Sequence, residues 1–234
     1  MPSLSATVVI PWLGGCEYRE RALEWVRARI PFEIVEAPGT EPWCKADAVM
    51  PAVEAAPDGI VAVADADCFT PGLESAVRAV TCGAAEWAVP HRGVNRLSEA
   101  STEAFMAGAD ASTLDLDRPA YLGPEGGGVV VAHRDTLLRI PLDHRYVGWG
   151  QEDESWGIAL FTLAGPCHRV KQPLIHLWHP PQERMDLRFG SAQSKALHAR
   201  YCAASNNPEA MRALIEEIHD ARQPDQPPVL DPHR

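Results

Sequence analysis

Two aspartates one residue apart, Asp65 and Asp67 in Ala64-Asp65-Ala66-Asp67, follow the apolar run Gly59-Ile60-Val61-Ala62-Val63-Ala64. On an extended chain residues at this spacing face the same way. Both carboxylates therefore meet one space where a buried strand emerges. Hard carboxylate oxygens suit Mn2+ or Mg2+, and a cation so held can bridge two phosphate oxygens. Such a cation stabilises the negative charge that builds on a departing diphosphate. Taken alone, the pair also reads as a strand-end turn with two solvated aspartates. The apolar strand before it, and the order of elements around it, favour the cation.

Two further strings carry the same theme. His176-Leu177-Trp178-His179 offers two imidazoles that could join the same ion, although imidazole suits zinc better than Mn2+. By themselves they read better as structural or surface histidines beside Trp178. Neither Cys nor Glu stands at metalloprotease spacing, which disfavours a zinc hydrolase. In Gly148-Trp149-Gly150-Gln151-Glu152-Asp153-Glu154 the glycines allow a sharp bend. An indole there can cover the apolar face of a sugar. A carboxylate of Glu152 or Asp153 could take the proton of an attacking hydroxyl. The same acids would also suit the positive end of a helix dipole without any chemistry.

The elements that must position these groups follow from residue patterns. Residues 7–10 are continuous and β-branched, as in a strand buried on both faces. A turn is expected over 11–15. A helix follows over 17–30, with Leu23, Val26 and Ile30 on one face and Arg19, Glu20, Arg27 and Arg29 on the other. Strands are expected over 32–36 and 60–64, and a helix over 44–56 that Pro51 shortens or kinks. Strand, helix, strand, helix, strand with short joins is the signature of a parallel sheet covered by helices on both faces. Ligands of such sheets sit beyond the carboxyl ends of the strands, where Asp65 and Asp67 stand. Further helices are expected over 71–80, 98–107, 134–139, 152–163, 191–203 and 207–221, and strands over 86–90, 129–132, 168–170 and 174–177. Residues 223–234 hold four prolines and read as a flexible tail.

The bulk numbers limit the classes. A chain of 234 residues with 46% hydrophobic content suits one globular domain. A net charge of −11, without a Lys/Arg run, argues against non-specific nucleic-acid binding. It leaves room for a nucleotide whose phosphates a metal neutralises. Six scattered cysteines without a CxxC read as reduced thiols of a cytoplasmic protein. The start Met1-Pro2-Ser3-Leu4 lacks a basic signal region, and no stretch approaches the about 18 apolar residues of a membrane span.

Together these strings resemble the GT-A-fold glycosyltransferases. The chain is similar to family-2-type enzymes and to the carboxy-terminal part of β-1,4-galactosyltransferases and polypeptide N-acetylgalactosaminyltransferases. The resemblance is carried by Val9-Ile10-Pro11, Asp65-Ala66-Asp67, Glu125-Gly126-Gly127-Gly128, Gly148 to Asp153 and His176 to His179, across about residues 6–185. It implies a single Rossmann-like α/β domain over 1–221, with a nucleotide-binding half over about 1–91 and an acceptor and catalytic half over about 92–221. It implies Asp67 as metal ligand, with His179 or His176 completing the shell of Mn2+ or Mg2+. Asp65 would hold the ribose, or the metal through water. Pro11, Arg19 or Arg21, and Lys45 fall where the family contacts the nucleotide. Trp149, Gly127 and Gly128 would contact the substrates. Asp153 would be the base and Glu152 an acceptor-binding group. Retaining relatives carry Asn where this chain has Asp153, so the resemblance favours inversion. The implied donor is a nucleotide sugar, by default UDP-linked, and the acceptor a glycan, protein, lipid or modified nucleobase. The loop Trp12-Leu13-Gly14-Gly15-Cys16 is longer than in the galactosyltransferases, and no stem or lectin domain accompanies it. A bacterial or viral cytoplasmic enzyme fits better than a Golgi one.

Three other classes compete. A nucleotidyltransferase or sugar-nucleotide pyrophosphorylase would use a similar sheet, but wants a basic glycine-rich loop where Trp12-Leu13-Gly14-Gly15 stands. A haloacid-dehalogenase-like phosphatase places its Asp pair on the first strand, with Thr or Val where Phe69 stands. A non-catalytic binding module would have lost the base or the ligands, and none is missing here.

Overall fold

The computed structural model describes residues 4–180 and 191–221. The chain opens with β1 (Thr7–Trp12), α1 (Glu17–Arg27), β2 (Glu33–Pro38), α2 (Lys45–Ala55) and β3 (Ile60–Ala64). It continues through β4 (Cys68–Phe69), α3 (Leu73–Thr81), β5 (Trp87–Val89), β6 (Gly93–Arg96) and α4 (Glu99–Met106). Then come β7 (Val129–His133), α5 (Arg134–Arg139), α6 (Glu152–Ala164), β8 (His168–Arg169), β9 (Pro173–His176), α7 (Ala192–Ala204) and α8 (Pro208–Ala221). The flexible tail expected over 223–234 lies outside the described residues.

One sheet has the order β2-β1-β3-β7-β5-β8. Its pairs are parallel except where β7 runs antiparallel to β3 and β5. The expected α/β class, a mostly parallel sheet with helices on both faces, is what the chain forms. Alternate residues of each strand serve opposite layers, as period-two geometry requires. Val9, Val61, Val63, Val130 and Ala132 pack with residues of α2, α5, α6, α7 and α8. Val8, Ile10, Ala62, Ala64, Val129 and Val131 pack with Leu23 of α1 and the apolar face of α3. Both faces are dry, which is why these strands read as unbroken apolar runs.

A second, smaller sheet has the order β4-β9-β6. Its strands are two to four residues long, and β4 and β6 carry no run long enough to show a period. β9 answers to the strand expected over 174–177, whereas β4 and β6 were not expected, yet their registers against β9 set the site.

Three local expectations are corrected. Pro11 lies within β1 and not in a turn, since β1 continues to Trp12 against Pro38 of β2. Pairing with β3 stops at Val9, so the edge to which Pro11 would have donated carries no partner strand. α1 ends at Arg27 and not at residue 30, because Pro31 turns Ile30 away from helical backbone. Pro51 lies inside α2 and the helix runs on to Ala55. Pro51 and Asp47 are both exposed, so the carbonyl that Pro51 cannot serve faces solvent. Among the described residues no helix is long and apolar enough to cross a membrane.

Candidate active site

Lys45 opens α2, a position where a helix dipole disfavours a cation. Two carboxylates account for it. Its Nζ donates to Asp65 Oδ1 and to Asp153 Oδ1, each at 2.8 Å. The Lys45 side chain is only 7% exposed, while Asp65 and Asp153 keep 31% and 26%. The ammonium thus lies beneath two carboxylates that still reach the surface. Burial works against the charge of Lys45, but Asp153 and Asp65 outweigh it and hold its pKa well above the ordinary value. Asp153 is pushed up by burial, with Lys45 opposing and Asp65 adding to the rise.

Asp67, two residues on, is buried. Its carbonyl accepts from Leu177 N at 2.8 Å. The β4–β9 register then sets Cys68 opposite His176, and the β9–β6 register sets Arg96 beside His176. Asp67 Oδ2 lies 3.3 Å from His179 Nε2 and 3.3 Å from Arg19 Nε, and Asp67 Oδ1 lies 3.9 Å from His176 Nε2. Arg96 Nη1 is 2.9 Å from His176 Nε2, and Arg19 Nη2 is 3.3 Å from His179 Nε2. Burial alone would raise the Asp67 carboxyl, but His176, Arg19 and His179 outweigh it and bring it down to about 2. Burial lowers both imidazoles against the pull of Asp67. At neutral pH the permanent cations of this cluster are therefore Arg19 and Arg96.

The backbone fixes which imidazole nitrogens face the cluster. His176 Nδ1 lies 2.9 Å from Leu177 O, and His179 Nδ1 lies 2.9 Å from Pro180 O. A carbonyl only accepts, so each Nδ1 carries the proton and each Nε2 keeps a lone pair, which accepts from Arg96 Nη1 at His176 and from Arg19 Nη2 at His179. Asp67 thus approaches both imidazoles, one through each oxygen, a donor set for a divalent cation in which the carboxylate is the ligand suited to Mn2+ or Mg2+. Cys68 adds a thiol, since Asp67, Cys68 and His176 place ligand atoms within 4.8 Å of one another. Burial and then Asp67 push that thiol well up, so it stays protonated and donates to Asp67 Oδ1 at 3.6 Å.

The loop before α6 brings Trp149 over the same region. Trp149 is 38% exposed and stacks on Trp43, with centroids 5.8 Å apart and planes 18° apart. The Arg19 guanidinium carbon lies 5.0 Å from its ring centre. Gly148 N donates to Trp43 O at 2.7 Å, which pins the loop to the start of α2. Gln151, the residue that caps α6, has φ 70°, a left-handed backbone that costs a side-chain-bearing residue on the order of 1–3 kcal/mol. That turn aims Glu152 and Asp153 into the site. The Glu125–Gly128 turn supports them from below. A Cβ on Gly126 would lie 2.0 Å from Asp153 O, so only glycine lets α6 approach. Gly128 O accepts from Asp65 N at 2.9 Å, and Gly127 O lies 3.3 Å from Nε2 of buried His91.

Glu152 is buried and accepts from Gly150 N at 2.8 Å. Burial first, and Asp153 second, push its carboxyl up from 4.5 to about 7. The folded protein then binds this proton more tightly than the unfolded chain does. The stabilisation is full below about pH 4.5 and is lost as pH rises through about 7. Urea unfolding of the parent and of Glu152→Gln across that window checks this. The variant should show the flatter profile, and equal slopes would refute the assignment.

The structure gathers most of the residues singled out in the sequence. They form two neighbouring sets of contacts, Lys45 with Asp65 and Asp153, and Asp67 with His176, His179 and Arg19, which also lies against Trp149. Glu152, Gly127 and Gly128 adjoin the first set through Asp153 and Asp65. Arg21 is placed elsewhere, since it pairs with Glu103 at 2.7 Å with both side chains about half exposed, 46% and 50%. Pro11 is a buried residue of β1. Arg96, Cys68 and His91 were not foreseen. Cys68 directly follows the Asp pair, which is a usable signal, whereas nothing in the sequence marks Arg96 or His91.

A mostly parallel sheet with one reversed strand, helices on both faces, and the match to solved structures below give the chain the GT-A fold. The chain is similar in structure to glucosyl-3-phosphoglycerate synthase from Mycobacterium tuberculosis. With its phosphoglyceric acid complex the identity is 16% over 86% of this chain and 79% of that one, with a TM-score of 0.52. With its complex of Mn2+, uridine diphosphate and phosphoglyceric acid, 15% identity extends over 87% and 78%, again at 0.52. With its complex of Mn2+, UDP-glucose and glycerol 3-phosphate the values are 15%, 86%, 79% and 0.52. No protein-family model matches the sequence, and no curated protein does. At these identities the shared property is the fold.

Proposed function

We propose that the protein is a metal-dependent glycosyltransferase that moves a sugar from a nucleoside-diphosphate sugar, by default a UDP-sugar, to a hydroxyl acceptor with inversion. The observation that carries this reading is the approach of both His176 and His179 to Asp67, two residues from an Asp65 that Lys45 bridges to Asp153. The complexes of its structural neighbours with Mn2+, uridine diphosphate and UDP-glucose support the choice of ligands. Asp67, His179 and His176 would hold Mn2+ or Mg2+. When bound, that ion supplies charge neutralisation for the departing diphosphate.

The remaining roles belong to the side chains. Asp65 binds the ribose, and Lys45 orients Asp65 and Asp153 relative to each other. Trp149 covers the donor sugar and keeps water from it. Glu152 binds the acceptor, and Asp153 takes the proton of its attacking hydroxyl. The Glu125–Gly128 turn sets the height of Asp153. Inversion rests on a carboxylate at 153, where retaining members of the resembled family carry Asn. The nucleotide is assigned to the half over about 1–91 and the acceptor to the half over about 92–221. A site in the cytoplasm accords with unpaired cysteines.

A thermal-shift screen with nucleoside diphosphates and sugar nucleotides tests this. Mn2+ and UDP together should raise the melting temperature, with about 2.7 kcal/mol of stabilisation at a hundredfold excess over Kd. EDTA should abolish the shift. Equal melting curves with and without every nucleotide, in Mn2+, would sink the proposal.

A further inference from the structure

Arg19 contacts the groups that a divalent ion would need. Its Nε lies 3.3 Å from Asp67 Oδ2 and its Nη2 lies 3.3 Å from His179 Nε2. These are the carboxylate oxygen and the lone pair that face each other across 3.3 Å. The fit of the guanidinium is imperfect, because Arg19 Nε is buried and makes no aligned hydrogen bond. A buried donor left so is unfavourable, which favours its exchange for a better-fitting group. The other face of Arg19 lies against Trp149. Arg96 differs, since its Nε donates to Tyr121 Oη at 2.9 Å, a second bond that anchors it where it stands beside His176. Arg19 is the group free to leave.

The charge count points the same way. Asp65 is engaged by Lys45, so Asp67 is the carboxylate that faces the guanidinium groups of Arg19 and Arg96. A divalent ion arriving alone would add two positive charges beside two fixed ones, in a part-buried space where repulsion is weakly screened. A diphosphate changes the balance, because it brings the missing negative charge and gives a displaced guanidinium a forked set of oxygens to grip.

Resting on the metal-dependent reading above, we infer that Arg19 competes with the divalent cation for Asp67 and His179, and that the cation gains the site only together with a diphosphate that receives the guanidinium. Arg19 is thereby a positioning residue that orders binding. It also ties that exchange to the Trp149 loop, whose indole it leaves when it turns to phosphate.

Mn2+ binding followed by electron paramagnetic resonance tests this without turnover. The parent protein should bind Mn2+ alone weakly and bind it strongly with UDP. Arg19→Met keeps the aliphatic stem and removes the charge, and should bind Mn2+ alone tighter by about tenfold or more. UDP should enhance Mn2+ binding less in this variant than in the parent. Arg19→Lys keeps the charge and should stay near the parent. Arg19→Gln provides the same comparison should the methionine variant fail to fold. Equal affinity for Mn2+ alone in the parent and the charge-removed variant overturns the inference while leaving the metal reading intact. Absence of Mn2+ binding in every protein, with UDP present, overturns both.

Discussion

Asp153→Asn is expected to lower the rate of transfer by about 10²–10⁴-fold, the usual contribution of a placed base. Donor binding should stay nearly as it was. Asparagine keeps the size and shape of the side chain, so α6 can still pack on Gly126. Lys45 keeps its bond to Asp65, so the ammonium is not left unpaired. What is lost is the ability to accept a proton. Burial raises the proton affinity of Asp153, which suits a base, while its 26% exposure keeps it within reach of an acceptor. Glu152 also has a raised carboxyl, but its oxygen is occupied by Gly150 N. Glu152→Gln should therefore change acceptor KM more than kcat. Single-turnover rates with calorimetric donor affinity separate these cases. A collapse of donor affinity with turnover retained would show that Asp153 serves binding and not proton transfer.

The mostly parallel sheet and the strings that cluster at its edge were legible in the sequence, and the reason is physical. Asp65 and Asp67 stand out because a strand buried on both faces must be apolar, so its first polar residues mark the place where it emerges. Acidic residues of the α6 first turn stand out because a helix start favours them. Strand direction is a different matter. β7 is as apolar as β3, and nothing in Val129-Val130-Val131-Ala132 says that it runs against its neighbours. The short strands β4 and β6 are too brief for a period, although the register that places Arg96 and His176 side by side depends on them. Pro11 and Pro51 misled for a common reason. A proline forbids one hydrogen bond, and the sequence does not tell whether that bond points to a partner, to an open sheet edge or to water. Lys45 drew notice only through the family resemblance. A lysine in the first turn of a helix is a local conflict, and such conflicts resolve only when partners from distant segments, here β3 and α6, are in view.

Lys45→Met is expected to cost about 3–5 kcal/mol of folding stability, the range for removing one member of a buried ionic set. Methionine fills most of the same volume, so the loss is electrostatic and not a cavity. Two carboxylates would remain at the positions where each now lies 2.8 Å from one ammonium. Their mutual repulsion, no longer offset, falls on Asp153, whose carboxyl burial already pushes up and Lys45 holds back. Removing that restraint raises its folded-state pKa further. A raised carboxylate pKa means that stability is retained at low pH and lost as pH climbs through the folded-state value. The deficit of Lys45→Met should therefore be large at about pH 7 and smaller at about pH 5, and Asp153→Asn in the same chain should restore part of it. In a chain of this size each kcal/mol moves the melting temperature by about 2–4 °C, so the effect is easily read. Urea titrations of the parent, the single variant and the double variant at both pH values decide the matter. A single variant within about 1 kcal/mol of the parent at about pH 7 would mean that the ammonium bridge contributes no more than an exposed surface pair.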